Sequence, residues 1–368
     1  MRDASEVRPP ALIGADSTKF PFAEGKDAAW ILHKSVEYGL DGVYFRSVLD
    51  LSPTLDRAQL RDVAAQAKEA GLWLEAGIGK VNPFSTPEAP GIRALGQGDY
   101  LKGMSLLVEA AAEAGVHELW SATANYQFTL PAPYSCDRFR TDVPWTDQLR
   151  ATARFLHRLA PVLRDHGSHV NLETHEEITS FEVVRLVEEV GPDVLGITFD
   201  TANVLVRCED PVAAARRVAP YVRATHVRDV ALTFTDAGIS RFLMPVGQGC
   251  LSWPEVISPL LERSPMERPL MLSIEGVTRS RAEMTLPLYD PVWQQGHPDL
   301  TAAEALAVVH LARRYGDRAD RGEAPDLKAL RAPLQPTEPL DFLFESVRHL
   351  RKVLDSLAAR RETKAVAR

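Results

Sequence analysis

The chain has 368 residues, 45% of them hydrophobic, and its 42 Lys and Arg against 50 Asp and Glu give a formal net charge of −8. This length is sufficient for a large core, and the negative charge excludes a global basic field for nucleic acid or anionic lipid and favours small neutral substrates. The three cysteines are scattered and have no CxxC spacing, and the first segment lacks the apolar region of a signal peptide. No run approaches the ~20 apolar residues of a membrane span. These features predict a cytoplasmic protein.

Apolar runs typical of strands alternate with amphipathic helical segments along the chain. The predicted strands are ALIG (11–14), DGVYFR (41–46), WLEAGIG (73–79), ELWSAT (118–123), HVNLETH (169–175), LGITFD (195–200), RATHVRDV (223–230) and PLMLSIEG (269–276). Predicted helices separate them, at 27–38, 55–70, 100–114, 145–165, 181–190, 211–218 and from about residue 253. Eight strands in this alternation predict an α/β fold, a (β/α)8 TIM barrel with a parallel sheet.

Three longer segments follow the third, fourth and seventh predicted strands, at 81–98, 125–145 and 231–253. They are candidate lids or walls of the catalytic mouth, although solvent-facing insertions are equally common. The barrel is predicted over residues 11–318, and a Pro-rich linker and a C-terminal helix over 319–368. An apolar stripe on this helix needs a cover, either its own barrel or a partner, which would be a second copy or a small subunit. The stripe comprises Leu340, Leu343, Val347, Leu350, Leu354 and Leu357.

Four polar residues close the last four predicted strands in succession. They are Glu173, Asp200, His226 and Glu275. Polar residues end strands in many proteins, but at the carboxyl end of a barrel such residues converge on one mouth. Three carboxylates and one imidazole suit a divalent cation, with Mn²⁺ expected first and Mg²⁺, Co²⁺ or Zn²⁺ as alternatives. The sequence therefore predicts a metal site.

His175 is the candidate acid/base beside this site. Residues two apart in a strand project to one side, so His175 is expected next to Glu173, with Thr174 and Glu176 pointing away. An ordinary histidine pKa of roughly 6.5 allows proton exchange near neutrality, and a hydrogen bond to a ligand is the alternative role. The bound ion would polarise a ketosugar carbonyl and acidify the adjacent C–H. That chemistry serves an isomerase, an epimerase or, with a β-leaving group, a lyase.

These strand ends resemble those of the xylose-isomerase-like TIM-barrel superfamily, which includes ketose 3-epimerases and inosose dehydratase. The segment VGQGCLSWPEVI (246–257) is similar to an element that this family places between its last two strands, and His226, Arg228 and Asp229 to its H-x-[KR]-D element. The resemblance covers about residues 11–276. It implies that Glu173 and Glu275 are both metal ligands and the proton-transferring pair. Asn203, where epimerases and endonuclease IV carry histidine, implies one ion rather than three.

Two departures from the epimerase pattern leave the activity open. Leu232 stands where some epimerases place an arginine, and the insertion with Tyr126 and Phe128 is large enough to wall a wider pocket, whereas Trp120 suits the core. That insertion and the C-terminal extension resemble the α-subunit of bacterial C-glycoside deglycosidases, which would cleave 3-keto C-glycosides together with a small β-subunit. A non-catalytic sugar-binding barrel is the remaining alternative.

The expected site residues follow from the pattern and the resemblance together. We expect catalysis by Glu173, His175 and Glu275, and binding of a small carbohydrate by Asn203, Arg228 and Tyr126. No nucleic acid or membrane partner is expected.

Overall fold

The computed structural model describes residues 11–85 and 89–366, which leaves outside the description the first ten residues, part of the predicted loop 81–98 and the last two residues of the predicted segment 319–368. Its strands in chain order are β1 (Ala11–Asp16), β2 (Gly42–Phe45), β3 (Trp73–Lys80), β4 (Glu118–Ala122), β5 (His169–Glu173), β6 (Leu195–Asp200), β7 (Val222–Val227), β8 (Asp229–Thr235), β9 (Gly238–Met244), β10 (Leu270–Ile274) and β11 (Met284–Leu286). Strands β1 to β7 pair in sequence, and β10 closes the ring between β7 and β1. The ring is parallel throughout, which confirms the predicted (β/α)8 barrel.

Helices surround the ring and occupy several of the connecting segments. In chain order they are α1 (Ala28–Glu37), α2 (Val48–Leu51), α3 (Arg57–Glu69), α4 (Pro90–Leu95), α5 (Tyr100–Glu113), α6 (Trp145–Asp165), α7 (Ser180–Val190), α8 (Asn203–Val206), α9 (Pro211–Val218), α10 (Trp253–Arg263), α11 (Pro291–Gln295), α12 (Ala302–Asp320), α13 (Leu327–Arg331) and α14 (Glu338–Val366). Side-chain caps define many starts; Thr179 and Glu182, for example, form a capping box at α7. None of the helices in the described ranges is long and apolar enough to cross a membrane.

Bulky side chains fill the middle of the barrel, and glycines make room for them. Tyr44, Trp120 and Met271 pack together there. A Cβ added at Gly14 or Gly42 would lie 2.5 or 2.6 Å from the Met271 sulfur, so these positions have space only for hydrogen. This packed layer forms the floor beneath the carboxyl ends of the strands.

A polar layer closes the opposite, amino-terminal end of the barrel. Arg223 pairs with Glu118 at 2.9 Å, and Arg268 pairs with Glu75 at 3.2 Å. The Trp73 indole also donates to Glu75, at 3.2 Å. Burial nevertheless raises the pKa of Glu75 to about 7. The charges here are balanced within the layer and are separated from the mouth by the packed aromatic floor.

The predicted seventh strand, 223–230, is too long, because the chain leaves the barrel at Arg228. The backbone N–H and C=O of Arg228 are bound by the Thr201 hydroxyl instead of a neighbouring strand. From Asp229 the chain forms an antiparallel hairpin, β8 with β9, to which β11 adds a third strand. The predicted loop 231–253 is therefore largely an ordered sheet, which α12 and α13 cover through Tyr315 and Leu330.

The C-terminal helix α14 packs against its own barrel, next to β1, β10 and α10. Five of the six residues of the predicted stripe are buried in the main core, and Leu340 is half-buried. Polar contacts fix the helix as well: Ser346 accepts a hydrogen bond from the Val246 N–H, and Arg351 donates to the Gly39 carbonyl. The stripe thus has a cover within the chain.

Candidate metal centre

The four residues that close the last barrel strands lie together. Glu173 and Asp200 end β5 and β6, His226 is the penultimate residue of β7, and Glu275 directly follows β10. In the strand register Asp200 is opposite His226, which is opposite Ser273. One donor atom from each of the four residues lies within 4.8 Å of the others, and all four side chains are buried. Spacings of 27, 26 and 49 residues in the sequence thus become one cluster.

The chemistry of the cluster fits a divalent cation. Nδ1 of His226 is buried without a hydrogen-bond partner, 3.4 Å from Glu173 Oε1 and 3.6 Å from Glu275 Oε2. A buried polar atom without a partner is costly, and a cation between these donors would remove that cost. Burial lowers the pKa of His226, but the carboxylates of Glu173 and Glu275 outweigh burial and raise it to about 9.

Glu173 is held at both oxygens. The Trp120 indole donates to Oε2 at 2.7 Å, and the Asn203 amide donates to Oε1 at 3.2 Å. Asn203 thus orients a predicted ligand, and it lies outside the cavity lining, so its predicted contact with substrate stays a prediction. Trp120 belongs to the barrel interior, as expected, and its hydrogen bond to Glu173 is a role that the sequence did not indicate.

Arg228 connects two of the carboxylates. One terminal nitrogen lies 2.6 Å from Asp200 Oδ2 and the other 2.9 Å from Glu275 Oε1. Burial raises the pKa of Asp200 to about 6 against the opposing effect of Arg228. Arg228 also lines the cavity above the cluster, where its predicted substrate contact is sterically open.

His175 faces the same cavity, but it lies beyond the strand, because β5 ends at Glu173. The strand alternation expected for residues 174–176 is therefore wrong, and Glu176 lines the cavity instead of pointing away. Nδ1 of His175 lies 2.6 Å from both Glu176 Oε2 and Glu177 Oε2. Burial lowers the pKa of His175, but these carboxylates and Glu173 raise it to about 10.

The cavity above the cluster has a volume of about 320 Å³. The insertion after β4 forms one wall through Asn125, Tyr126 and Phe128, so the predicted position of Tyr126 at the pocket is found. This insertion is anchored by a 2.7 Å ion pair between Arg138 and Glu182. The cavity is also lined by five charged residues that the sequence analysis did not place there. They are Lys19, Arg46, Glu176, Arg241 and Arg279.

Asp229 organises the glycine-containing segment that follows the hairpin. Its carboxylate accepts hydrogen bonds from the Gly247 and Leu251 N–H groups and from the Trp253 indole, at 2.8–3.1 Å. A Cβ at Gly249 would overlap Asp229 Oδ1. Asp229 and the segment 246–257 are therefore one structural unit, and it connects the hairpin to α10.

The fold and this site place the chain in a family. A model of the xylose isomerase-like TIM barrel matches residues 32–307, and the chain belongs to that family. Among solved structures, D-psicose 3-epimerase from Clostridium cellulolyticum H10 has a TM-score of 0.54 at 16% identity, over 85% of this chain and 99% of that chain. The 3-keto-D-glucoside 4-epimerase YcjR from E. coli has a TM-score of 0.53 at 17% identity, over 82% and 99%. At these identities the likeness shows the fold.

Curated relatives are similar over part of their length. The uncharacterized protein YihM of Escherichia coli (strain K12) is 23% identical over 206 residues, which are 55% of this chain and 62% of that protein. An inosose dehydratase of Geobacillus kaustophilus (strain HTA426) is 26% identical over 121 residues, 29% of this chain and 39% of that enzyme. The chain thus spans less than two thirds of the length of each of these two curated relatives.

Proposed function

We propose that the chain is a divalent-metal-dependent isomerase or epimerase that acts on a ketosugar or keto-glycoside. The supporting observation is the buried set of Glu173, Asp200, His226 and Glu275 beneath an open cavity, with an unpaired imidazole nitrogen inside the set. A divalent ion bound there would polarise a substrate carbonyl and acidify the adjacent C–H. Three oxygens and one imidazole favour Mn²⁺.

We infer that two of the four residues transfer protons. Glu173 and Glu275 line the cavity, whereas Asp200 and His226 lie beneath it. Trp120 and Asn203 fix the Glu173 carboxylate, and Arg228 fixes that of Glu275. Two carboxylates whose positions are fixed in this way could remove a proton from a substrate carbon and deliver one to its opposite face, as epimerisation requires, or to the neighbouring carbon, as isomerisation requires.

His175 is the proposed third catalytic group. Its Nδ1 is bound by Glu177 Oε2 at 2.6 Å, so Nε2 is the ring nitrogen that can exchange a proton with a substrate hydroxyl. The Glu177 carboxylate is itself bound by the Thr123 hydroxyl at 2.6 Å, which fixes the orientation of the imidazole ring.

Elimination remains the alternative reaction, because it begins with the same proton abstraction. The resemblance to the C-glycoside deglycosidases, in which two different polypeptides act together, depends partly on the C-terminal extension, whose apolar stripe on α14 is the expected surface for a second polypeptide. Since that stripe is buried against β1, β10 and α10, it lends no support to a second polypeptide. Isomerisation or epimerisation by the single chain is therefore the proposal that we favour.

Metal analysis and deuterium exchange test this function. We expect one equivalent of divalent metal per native chain. We also expect the chain, incubated with Mn²⁺ in D₂O, to incorporate solvent deuterium into one member of a panel of ketoses, inososes and 3-keto glycosides, and NMR detects this incorporation. Glu173→Gln and Glu275→Gln should lower the exchange rate at least ~100-fold, since an amide cannot accept the proton. Glu69→Gln, at an exposed carboxylate of α3, is the matched control.

Four outcomes would overturn the proposal. Native protein without metal contradicts the site, and two or three zinc equivalents contradict the single ion. Sugar binding with no deuterium incorporation identifies a non-catalytic barrel. Release of an aglycone from a 3-keto C-glycoside identifies the lyase.

A further inference from the structure

Arg241 is a buried cation that faces the cavity, and no described carboxylate is in ion-pair contact with it. It lies on β9 in the inserted hairpin, is 1% exposed, and lines the cavity. Within the part of the chain that the structure describes, no carboxylate lies within 4.0 Å of its guanidinium. Its Nε is buried without a hydrogen-bond partner, and its terminal nitrogens contact only the Ala282 carbonyl, the Met284 sulfur and, at 3.5 Å, the Asn203 side chain.

Such an arrangement is unfavourable unless something else supplies the negative charge. Burying an unpaired charge costs several kcal/mol. Two other buried arginines have carboxylate partners: Arg138 lies 2.7 Å from Glu182, and Arg228 lies 2.6 Å from Asp200. Arg207 is also without a carboxylate, but it contacts His297 at 3.1 Å and is not part of the cavity wall.

The other charged residues around the cavity also indicate that it would attract negative charge. Three carboxylates line it: Glu173 accepts from the Trp120 indole, Glu275 pairs with Arg228, and Glu176 Oε2 lies 2.6 Å from His175 Nδ1. Five lysine and arginine side chains line it as well, namely Lys19, Arg46, Arg228, Arg241 and Arg279. A divalent ion would add two further positive charges, and its proposed ligand Asp200 one negative charge. The cavity of this acidic chain is therefore locally positive, in contrast to the neutral substrate expected from the net charge.

We propose that the substrate carries an anionic group, a carboxylate or a phosphate, that binds to Arg241 while the rest of the sugar reaches the metal centre. A planar guanidinium with an unpaired Nε–H and a terminal N–H presents the fork that such oxyanions accept. Arg46, half-buried with its guanidinium 4.5 Å from the Trp120 ring centroid, adds positive charge to the same wall. This assignment deepens the proposed function and rests on it.

Three ketoses that differ only at C6 test the assignment. Binding of D-fructose, D-fructose 6-phosphate and D-fructuronate to the Mn²⁺-loaded full chain is measured by titration calorimetry. We expect at least one of the two anionic ketoses to bind 10-fold or more tightly than D-fructose, and the preferred one distinguishes phosphate from carboxylate. Arg241→Gln should lower that preference to about 1, and Arg61→Gln, at an exposed arginine of α3, should leave it unchanged.

Failure of this inference is distinguishable from failure of the proposed function, because binding is measured without turnover. No preference for either anionic ketose overturns the inference, and so does a preference that survives in Arg241→Gln, since the metal or another cation would then hold the anion. If Arg241→Gln does not fold, Arg241→Lys replaces it and should lower the preference at least 3-fold; an unchanged preference again contradicts the assignment. Anion-dependent binding without deuterium exchange would support the anion site and contradict the proposed isomerase or epimerase activity.

Discussion

At the scale of single residues, the candidate site depends on side chains that hold the ligands as much as on the ligands. Glu173 receives hydrogen bonds at both oxygens, and Arg228 binds both Asp200 and Glu275. These partners fix the direction in which each carboxylate faces the centre of the cluster. Metal affinity should therefore change when a partner is removed and every ligand is kept.

Trp120→Phe tests whether one hydrogen bond to a ligand affects metal affinity. The change removes the indole N–H that lies 2.7 Å from Glu173 Oε2 and keeps an aromatic ring in the barrel interior. We expect the dissociation constant for Mn²⁺ to rise about 10- to 100-fold, the effect typical of partners that orient ligands. Competition with a chelating indicator measures the constant.

Trp73→Phe is the matched control for this prediction. It removes the same group from the polar layer at the other end of the barrel, where the indole donates to Glu75. Its Mn²⁺ affinity should equal that of the unmodified chain, so equal affinities for all three proteins would contradict the role given to Trp120.

At the scale of elements, the hairpin and the segment after it shape the cavity. The hairpin carries Arg241 into the wall, and Asp229 binds the following segment through three hydrogen bonds. Gly249 is required by a close approach, since an added Cβ would overlap both Asp229 Oδ1 and the Val230 carbonyl.

Gly249→Ala should therefore destabilise the fold by about 1–3 kcal/mol, the usual cost of forcing atoms into a packed region. Gly316→Ala is the control, because Gly316 lies inside α12 with no atom within 4 Å of an added Cβ. That change should stabilise the chain by about 0.5–1 kcal/mol, since alanine favours helix. Urea unfolding compares the two, and a neutral Gly249→Ala would show that the Asp229 unit can shift.

The sequence predicts the barrel and the ligand cluster because both depend on local pattern. A buried strand is an apolar run, and a polar residue at its carboxyl end must lie at the mouth, as Asp200 does. Glu176 was placed wrongly because a strand period was extended past the last paired residue, Glu173. Arg241 was not indicated, since its place at the cavity depends on a hairpin that folds back over the barrel.

At the scale of the whole molecule, the last helix completes the barrel. The sequence predicts a linker and a C-terminal helix over residues 319–368, and the structure shows α14 packed beside β10 and β1, in the helical layer that surrounds the strands. Leu350 is completely buried there, and Val347 and Leu354 flank it in the same core. The segment after the barrel strands therefore contributes to the stability of the single chain.

Leu350→Ala tests whether α14 belongs to the barrel or awaits a partner. Removing a completely buried leucine side chain should lower the free energy of unfolding by about 2–5 kcal/mol. Leu306→Ala, at a position of α12 that is 66% exposed, should change it by no more than about 0.5 kcal/mol. Urea unfolding gives both values, and sedimentation velocity gives the oligomeric state. If Leu350→Ala left the unfolding free energy unchanged and dissociated an oligomer instead, the stripe would belong to an interface between chains, and a lyase built from two different polypeptides would regain its support.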